Sequence, residues 1–381
     1  MASSGNNQKA PPEPQELEVS VFGPGYGECV VLHLGDGHWG AVDSCLDLGS
    51  KRPAALHYLE SLGVDVEAAL RFVVATHWHD DHLQGIKEVF HRAKAAVFSC
   101  TEAVRQPEFD QFLGAWAGTR FLAGGSGIDE LHRILTELKD RNPGTRYPLP
   151  RLASANKVLW ERTMQPSATV KALSPSDAAV FAAIAQLRTA MSEPSKARRR
   201  LPNLKPNDAS VVLSVQVGHH RVLLGSDLQV RKDHGLGWMA VVDGIEAGAG
   251  SHQVFKVPHH GSPNGDHDEV WNRMLALQPW AATTPFVSGD VRLPSVGDCQ
   301  RILGRTPNAY LTAPPQAVKF RDPDRTVEKT VNEAALSAHF VPGKYGHVRL
   351  RKGISEPAGC AWRVELFGHA LSLEKYVLAA H

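Results

Sequence analysis

Short apolar runs alternate with polar segments along the chain, and many of the runs are β-branched and end abruptly in polar residues. Runs of this kind predict buried β-strands. The strands predicted before residue 76 are Leu17 to Phe22, Cys29 to Leu34, Trp39 to Val42 and Leu70 to Ala75. Those predicted after it are Val170 to Leu173, Ser210 to Val217, Arg221 to Leu224, Val254 to Val257, Trp280 to Thr284 and Ala309 to Thr312.

Helical periodicity follows several of these strands. Pro53 to Leu62 and Ala178 to Met191 have helical spacing. The apolar positions between 83 and 90 fall on one helical face, which predicts a helix with His82 at its N-terminus. The order of strand and helix therefore recurs in both halves of the chain and indicates an α/β protein.

Three segments depart from this order. Residues 1–16 are polar and rich in Pro and Ala, which predicts a disordered tail ahead of a main domain at 17–312. Residues 101–159 are less regular and are interpreted as an insertion, or lid, over the functional edge. Residues 313–381 are predicted to form a C-terminal extension whose β patterning indicates a small added sheet, a possible surface for a partner protein.

Composition narrows the class of protein. The 41 Lys and Arg balance the 40 Asp and Glu, so the overall charge does not indicate a nucleic-acid-binding polyelectrolyte. The five cysteines are odd in number and form no Cys-x-x-Cys pair, which predicts reduced thiols in a cytoplasmic protein. No apolar run approaches the ~20 residues of a membrane helix, so no membrane association is expected.

Imidazole and carboxylate groups gather where predicted strands end. Three histidines and two aspartates lie within Thr76 to His82, directly after a strand. Asp43, Asp227 and the pair at 259–260 follow three other strands. Imidazole nitrogens and carboxylate oxygens are ligands that suit zinc and similar divalent ions. Side chains from several strand ends therefore predict a metal site at one edge of a sheet.

The motif His77-x-His79-x-Asp81-His82 resembles the signature of the metallo-β-lactamase superfamily. Asn207 to Val212, and Lys256 to Ser262 with its His-His-Gly-Ser, are similar to the ComEC-type branch, the lactamase-like domain of competence DNA-uptake proteins. This chain would be a free-standing relative without the membrane channel. The resemblance implies a four-layer αββα sandwich that carries two metal ions on one edge.

Carried over residue by residue, the resemblance implies the roles of the site residues. The implied metal ligands are His77 and His79 for the first ion, Asp81, His82 and His260 for the second, and Asp227 as the bridge. Asp43 would orient the histidine loop through hydrogen bonds. The ions are expected to be zinc, with manganese as the alternative.

One departure from the superfamily pattern concerns the first ion. Most members carry a further histidine ahead of the bridging aspartate, whereas this chain reads Pro206-Asn207-Asp208. Asn207, Asp208 or water would then complete the first ion's ligands, and that ion would bind more weakly.

The expected activity is metal-dependent hydrolysis of phosphodiesters, with nucleic acid or a nucleotide as substrate and a metal-bridging hydroxide as nucleophile. Asp81 and Asp227 would serve the catalytic metal core, and His259 and Ser262 would contact phosphate. The basic run at 196–200 is either an outer phosphate-contacting rim or a solvated loop. Two alternatives stay open: a lactone, lactam or thioester hydrolase on the same metal core, and a catalytically weak binding or assembly module.

Overall fold

The computed structural model describes residues 9–104, 106–116, 126–141, 150–192, 204–244, 251–315 and 346–380. Four predicted features fall wholly or partly outside these ranges. They are the basic run at 196–200, residues 1–8 of the tail, residues 105, 117–125 and 142–149 of the lid, and residues 316–345 and 381 of the C-terminal extension.

The strands agree closely with the apolar runs of the sequence. Within the described residues they are β1 Glu16–Phe22, β2 Cys29–Leu34, β3 Trp39–Val42, β4 Leu70–Ala75, β5 Val97–Thr101, β6 Arg151–Ala153, β7 Val158–Arg162, β8 Ala168–Ala172, β9 Leu213–Val217, β10 His220–Leu224, β11 His252–Lys256, β12 Leu275–Thr283, β13 Phe286–Ser288, β14 Val291–Leu293, β15 Ala309–Leu311, β16 Gly346–Gly353, β17 Arg363–Gly368 and β18 Leu371–Ser372.

Helices separate many of these strands. The described α-helices are α1 Ala54–Ser61, α2 Val66–Ala69, α3 Asp80–Leu83, α4 Ile86–Arg92, α5 Gln106–Trp116, α6 Gly127–Arg141, α7 Asp177–Ser192, α8 Gly237–Asp243, α9 Val296–Leu303 and α10 Leu373–Ala379. Short 3₁₀ turns lie at Glu102–Val104, Pro206–Ala209, His259–Gly261 and Pro263–Gly265, and a π-helical turn lies at Val270–Met274.

Two sheets of eight strands dominate the described part of the chain. The first has the order β17-β16-β1-β2-β3-β4-β5-β6, and the second has the order β18-β15-β12-β11-β10-β9-β8-β7. Strands β3 to β6 run parallel in the first sheet. Strands β10, β11, β12 and β15 run parallel in the second. Each sheet therefore has one edge where several carboxyl ends meet.

The apolar residues divide into three clusters, which define four layers. A cluster between the sheets joins residues such as Val19 and Leu32 of the first sheet to Val215 and Val254 of the second. A second cluster places α1, α4, α5, α6 and α7 against the outer face of the first sheet. A third places α8, α9 and α10 against the outer face of the second. The predicted four-layer αββα sandwich is confirmed.

The C-terminal strands correct one expectation, because they do not form a small sheet of their own. Strand β16 pairs with β1 from Glu16 opposite Gly353 to Phe22 opposite His347, and so lies inside the first sheet. Strand β18 pairs with β15 in the second sheet. The two arginines of β16 are buried. Carboxylates neutralise them: Arg349 pairs with Glu365 at 2.8 Å and Arg351 with Glu18 at 2.7 Å.

Two local boundaries also differ from the sequence prediction. His82 does not begin a long helix: it is the third residue of the one-turn helix α3, and Gly85, with φ of 76°, separates α3 from α4. A left-handed glycine ends the turn and redirects the chain. His220, which precedes the predicted strand Arg221 to Leu224, is the first residue of β10.

The described part of the predicted lid consists of α5, α6, β6 and β7. Both helices belong to the outer helical layer, and the two strands lie at the described edges of the two large sheets. The role of this segment as a lid stays a prediction. Among the described helices, none has the length and apolar character needed to cross a bilayer.

Candidate metal centre

The candidate site lies where the carboxyl ends of the parallel strands of both sheets meet. Asp43 follows β3, the histidine loop follows β4, Asp227 follows β10, and His259 and His260 follow β11. Because one strand group belongs to each sheet, the site bridges the two sheets at one end of the sandwich. The structure thus brings together the residues that the sequence placed at four separate strand ends.

Asp43 holds the histidine loop in place. Its Oδ1 accepts a hydrogen bond from the Thr76 backbone N–H at 2.8 Å, and its Oδ2 accepts from Thr76 Oγ1 at 2.7 Å. The same Oδ2 lies 2.8 Å from Nδ1 of His82. Asp43 has a φ of 57°, a conformation that costs an aspartate about 1–3 kcal/mol and persists only where its surroundings enforce it. Asp43 thus contacts the backbone, a hydroxyl and a histidine of this loop, and its orienting role stays a prediction.

His77, His79 and Asp227 form the first group of potential metal ligands. Thr76 Oγ1 donates to Asp43, so it can accept from Nδ1 of His77, which lies 3.0 Å away. That hydrogen bond leaves Nε2 of His77 facing Nδ1 of His79 at 3.2 Å. One ligand atom from each of the three side chains lies within 4.8 Å of the others. We call this group the first seat.

The second seat contains His82, His260, Asp81 and Asp227. Nε2 of His260 lies 3.4 Å from Asp81 Oδ2 and 3.8 Å from Asp227 Oδ2. Nε2 of His82 lies 3.5 Å from Asp227 Oδ1 and 3.7 Å from Asp81 Oδ2. Among the described residues, both Nε2 atoms and Asp227 Oδ1 are buried without a hydrogen-bond partner. Buried polar atoms are rarely left unsatisfied, so three of them aimed at one point fit a divalent ion.

Glu28 was missed as a site residue by the sequence reasoning. A carboxylate oxygen of Glu28 lies within 4.8 Å of a possible ligand atom of His82, Asp227 and His260, and the residue is 2% exposed. Glu28 directly precedes β2, and its neighbours in the sequence give no indication of its partner. That partner is Lys256, whose Nζ contacts both Glu28 carboxylate oxygens across the two sheets.

The charges of the site are strongly coupled. Burial alone would lower the pKa of His82, but the carboxylates of Asp227, Asp81, Glu28 and Asp43 raise it well above its usual value. Burial would raise the pKa of Asp227, but His82 and His260 hold it well below the usual range. The site thus concentrates negative charge around one imidazole, a field that favours a bound cation.

At the first seat, by contrast, the pKa values of the histidines are lowered. Burial and the neighbouring imidazoles of His82 and His79 lower the pKa of His77 well below its usual value. Burial likewise lowers the pKa of His79. Both rings are therefore neutral, which is the protonation state that binds a metal ion.

Strained backbone conformations set the directions of the His259 and His260 side chains. His259, His260 and Gly261 have φ values of 49°, 52° and 79° in succession. Left-handed conformations are costly for residues with a Cβ, and two in a row are maintained by the surrounding structure. The turn sends His260 into the second seat and His259 towards the open side, with Nε2 of His259 4.0 Å from Asp227 Oδ2.

Asn207 and Asp208, the two residues proposed to replace the missing histidine, differ in their partners. Asp208 is engaged by Arg231 in an ion pair. Asn207 lines the site, and its Oδ1 is buried and has no hydrogen-bond partner among the described residues. Of the two, Asn207 therefore has the oxygen that is available to the first seat.

A cavity of about 510 Å³ opens onto both seats. Its polar floor includes His79, Asp81, Asp227, His259 and His260. The hairpin of β13 and β14 forms one wall, and the apolar lining residues are Tyr26, Trp78, Ile128, Leu204, Pro206, Phe286, Val291 and Leu293. Ser262 is not among the lining residues, so the structure does not place it where it was expected to contact substrate. No lysine or arginine among the described residues lines the cavity.

Comparison with known proteins gives limited similarity. No protein-family model matches the chain, and neither does any curated protein. Among solved structures, the chain is similar to the metallo-β-lactamase-fold protein YhfI from Bacillus subtilis, with 12% identity, 63% of this chain and 70% of that chain covered, and a TM-score of 0.32.

Two further structures are similar to the same extent. A metallo-β-lactamase from Cronobacter sakazakii has 14% identity over 62% of this chain and 75% of that chain, with a TM-score of 0.31. The short form of human tRNase Z has 11% identity over 62% of this chain and 76% of that chain, with a TM-score of 0.31. TM-scores this low do not indicate a shared activity.

Proposed function

We propose that this chain is a metal-dependent hydrolase with two adjacent metal seats, and that it cleaves phosphodiester bonds in nucleic acid or a nucleotide. One observation supports the metal-dependent part above all others. The unsatisfied Nε2 atoms of His82 and His260 lie 3.5 and 3.8 Å from the carboxylate of Asp227, whose Oδ1 is also unsatisfied. Asp227 and His260 line an open cavity. A structural core would not leave three such atoms unpaired beside solvent.

The residues present suit zinc, with manganese as the alternative, because imidazole and carboxylate ligands serve both. His77, His79 and Asp227 would hold one ion, completed by Asn207 or water. His82, His260, Asp81 and Asp227 would hold the other. Bound ions would activate water and offset the negative charge that develops on the attacked group.

His259 is the side chain best placed to handle a proton or a substrate oxygen. Its Nδ1 lies 2.6 Å from Asn264 Oδ1 and can donate to it, which fixes the ring. Its Nε2 can accept from Gln229 Nε2 at 3.4 Å, and the residue lines the cavity. Nε2 then accepts a proton when neutral and donates one when charged. We propose that His259 contacts the departing or non-bridging oxygen of the substrate.

The phosphodiester assignment is supported by the ComEC-like segments at 207–212 and 256–262. The basic run at 196–200 adds support in sequence, because only three residues separate it from Leu204, which lines the cavity. An acyl substrate is the second candidate. The apolar hairpin wall favours it, as does the absence of lysine and arginine from the described lining.

One panel of assays separates these activities. The full chain would be loaded with Zn²⁺ or Mn²⁺, and the metal content would be measured by elemental analysis. It would then be assayed on single- and double-stranded DNA, RNA and bis-p-nitrophenyl phosphate, and in parallel on nitrocefin and an acyl-lactone. Turnover of the phosphate esters that Asp227→Ala abolishes supports the lead proposal. Turnover of only the acyl substrates replaces it with the second candidate.

A chain that binds both ions and turns over none of these substrates would contradict both hydrolase proposals. It would leave the catalytically weak binding module as the explanation. The C-terminal extension was expected to supply a partner surface, and that remains a proposal. Strands β17 and β18 lie at described edges of the first and second sheets, and β17 is the longer of these two edges of the extension.

A further inference from the structure

A buried ion pair lies directly behind the second seat. Glu28 and Lys256 are 2% and 1% exposed, and the Lys256 ammonium contacts both carboxylate oxygens of Glu28. Glu28 precedes β2 of the first sheet, whereas Lys256 ends β11 of the second. The backbone N–H of Glu28 also donates to the carbonyl of Asp81 at 2.9 Å. The pair therefore joins both sheets and the histidine loop at one point.

Thr284 connects this ion pair to a predicted metal ligand. Its Oγ1 donates to Glu28 Oε2 at 2.7 Å. With its proton so engaged, the same oxygen can only accept from Nδ1 of His260, which lies 3.0 Å away. His260 is thereby fixed with Nδ1 protonated and Nε2 directed at Asp81 and Asp227. Hydrogen bonds of this kind set the tautomer and orientation of metal-binding imidazoles.

The first seat contains the same arrangement of groups. There, Asp43 accepts from Thr76, and Thr76 lies 3.0 Å from Nδ1 of His77. A carboxylate, a threonine and a histidine thus recur in the same order at both seats. The recurrence argues that the Glu28–Thr284–His260 chain orients a ligand rather than merely filling space.

Glu28 itself has two conceivable roles, as a ligand or as a support. Its oxygens lie 3.7 Å from Nδ1 of His82 and 3.7 Å from Nδ1 of His260, on the side of each ring opposite the unsatisfied Nε2. An ion on that side would have to displace Lys256 and the hydrogen bonds that Nδ1 makes to Asp43 and Thr284. The geometry therefore disfavours Glu28 as a ligand.

We propose that Glu28, Thr284 and Lys256 are positioning residues for the second seat. Thr284 orients His260, Glu28 orients Thr284, and Lys256 neutralises Glu28 so that its carboxylate stays out of the ion's coordination. The inference rests on the proposed function only in requiring that metal binds at this seat.

The test compares metal binding in two variants of Thr284. Thr284→Val keeps the shape but removes the hydroxyl, and Thr284→Ser restores it. Zn²⁺ affinity would be measured by competition with a chromophoric chelator, and metal per chain by elemental analysis. Thr284→Val should weaken one of the two sites by roughly 10–100-fold, as removal of such a partner does elsewhere. Thr284→Ser should return it towards the wild-type value.

Thr306→Val is the matched control. Thr306 is a buried threonine whose Oγ1 donates to the carbonyl of Pro279 at 2.7 Å, outside the site. The Thr306→Val variant should be less stable than the wild type but should bind Zn²⁺ with the wild-type affinity. Equal loss of metal affinity in Thr306→Val and Thr284→Val would assign Thr284 a merely structural role and overturn the proposal.

The role of Lys256 is tested by removing both charges together. The double variant Glu28→Gln/Lys256→Met leaves no unpaired buried charge, so folding is preserved better than in either single variant. The double variant should still bind two metal ions, and the ion at the second seat should bind more weakly than in the wild type. Loss of one ion altogether would identify Glu28 as a ligand and overturn the proposal.

Failure of the inference and failure of the proposed function have different signatures. A wild-type chain that binds no metal contradicts the proposed function. A wild-type chain that binds two ions, with Thr284→Val indistinguishable from it in affinity, contradicts only this inference.

Discussion

Asp43 Oδ2 and His82 Nδ1 lie 2.8 Å apart, although the two residues are 39 positions apart in the chain. Asp43 follows β3 and His82 lies in α3, and both side chains are buried. Because Asp43 also binds the Thr76 backbone and hydroxyl, one carboxylate orients His82 directly and His77 through Thr76. A single residue therefore couples the geometry of the two seats.

Replacing Asp43 should weaken both seats at once. We expect Asp43→Ala to lower Zn²⁺ affinity at each by roughly 10–100-fold, because it releases both histidine orientations. Chelator competition would measure this, with Asp36→Ala, an exposed aspartate in a turn, as the control. An effect confined to one seat would contradict the shared role of Asp43.

Asn207 should contribute to the first seat, whereas Asp208 should not. Asn207→Ala removes the unsatisfied Oδ1 and is expected to lower the affinity of the weaker ion by about 10-fold. Asp208→Asn breaks only the ion pair with Arg231 and should leave metal binding unchanged. Calorimetric titration of metal into both variants would measure these affinities. A loss of affinity in Asp208→Asn but not in Asn207→Ala would identify Asp208 as the ligand.

The hairpin wall should affect substrate binding more than turnover. Val291 is 51% exposed and lines the cavity, so Val291→Ser should cost about 0.5 kcal/mol or less of stability. It should raise KM for aryl or other apolar substrates roughly 5-fold, because about 1 kcal/mol of apolar contact is lost. Leu277→Ser, at a 95% exposed position away from the cavity, is the control. A change in kcat with KM unaltered would contradict this prediction.

Acid should destabilise the fold through buried histidines far from the metal seats. Burial lowers the pKa of His252 from 6.5 to about 4, and Ser214 Oγ and the Met274 carbonyl occupy its two nitrogens at 2.8 Å. Arg221 lowers the pKa further. The unfolded chain therefore binds the proton more readily, and stability falls as pH drops from about 6.5 to 4.

The expected loss for His252 is about 3 kcal/mol across that window. Urea unfolding at several pH values would measure the slope, and His252→Asn should make it shallower. Burial also lowers the pKa of His33 to about 4, so a residual slope of the same sign should remain in the variant. A wild-type free energy of unfolding independent of pH between 6.5 and 4 would contradict the assignment.

The sequence by itself determined the strands and the chemistry at their ends. Apolar runs such as Leu70 to Ala75 specify a buried strand because alternation and β-branching are local properties. The cluster from His77 to His82 predicts a metal-binding loop for the same reason: its candidate ligands are neighbours in the chain. The four-layer sandwich was implied by the resemblance of its motifs and is confirmed by the two sheets.

Only the tertiary structure decided which groups meet across the two sheets. Glu28 and Lys256 are 228 positions apart, and no local pattern in the sequence pairs a carboxylate with an ammonium over that distance. The same holds for β16, whose alternation predicted a strand but could not name β1 as its neighbour. Strand patterns encode which residues are buried, whereas pairing depends on packing of the whole chain. Our proposal of Asn207 over Asp208 likewise rests on the ion pair between Asp208 and Arg231, a contact that forms only when the chain is folded.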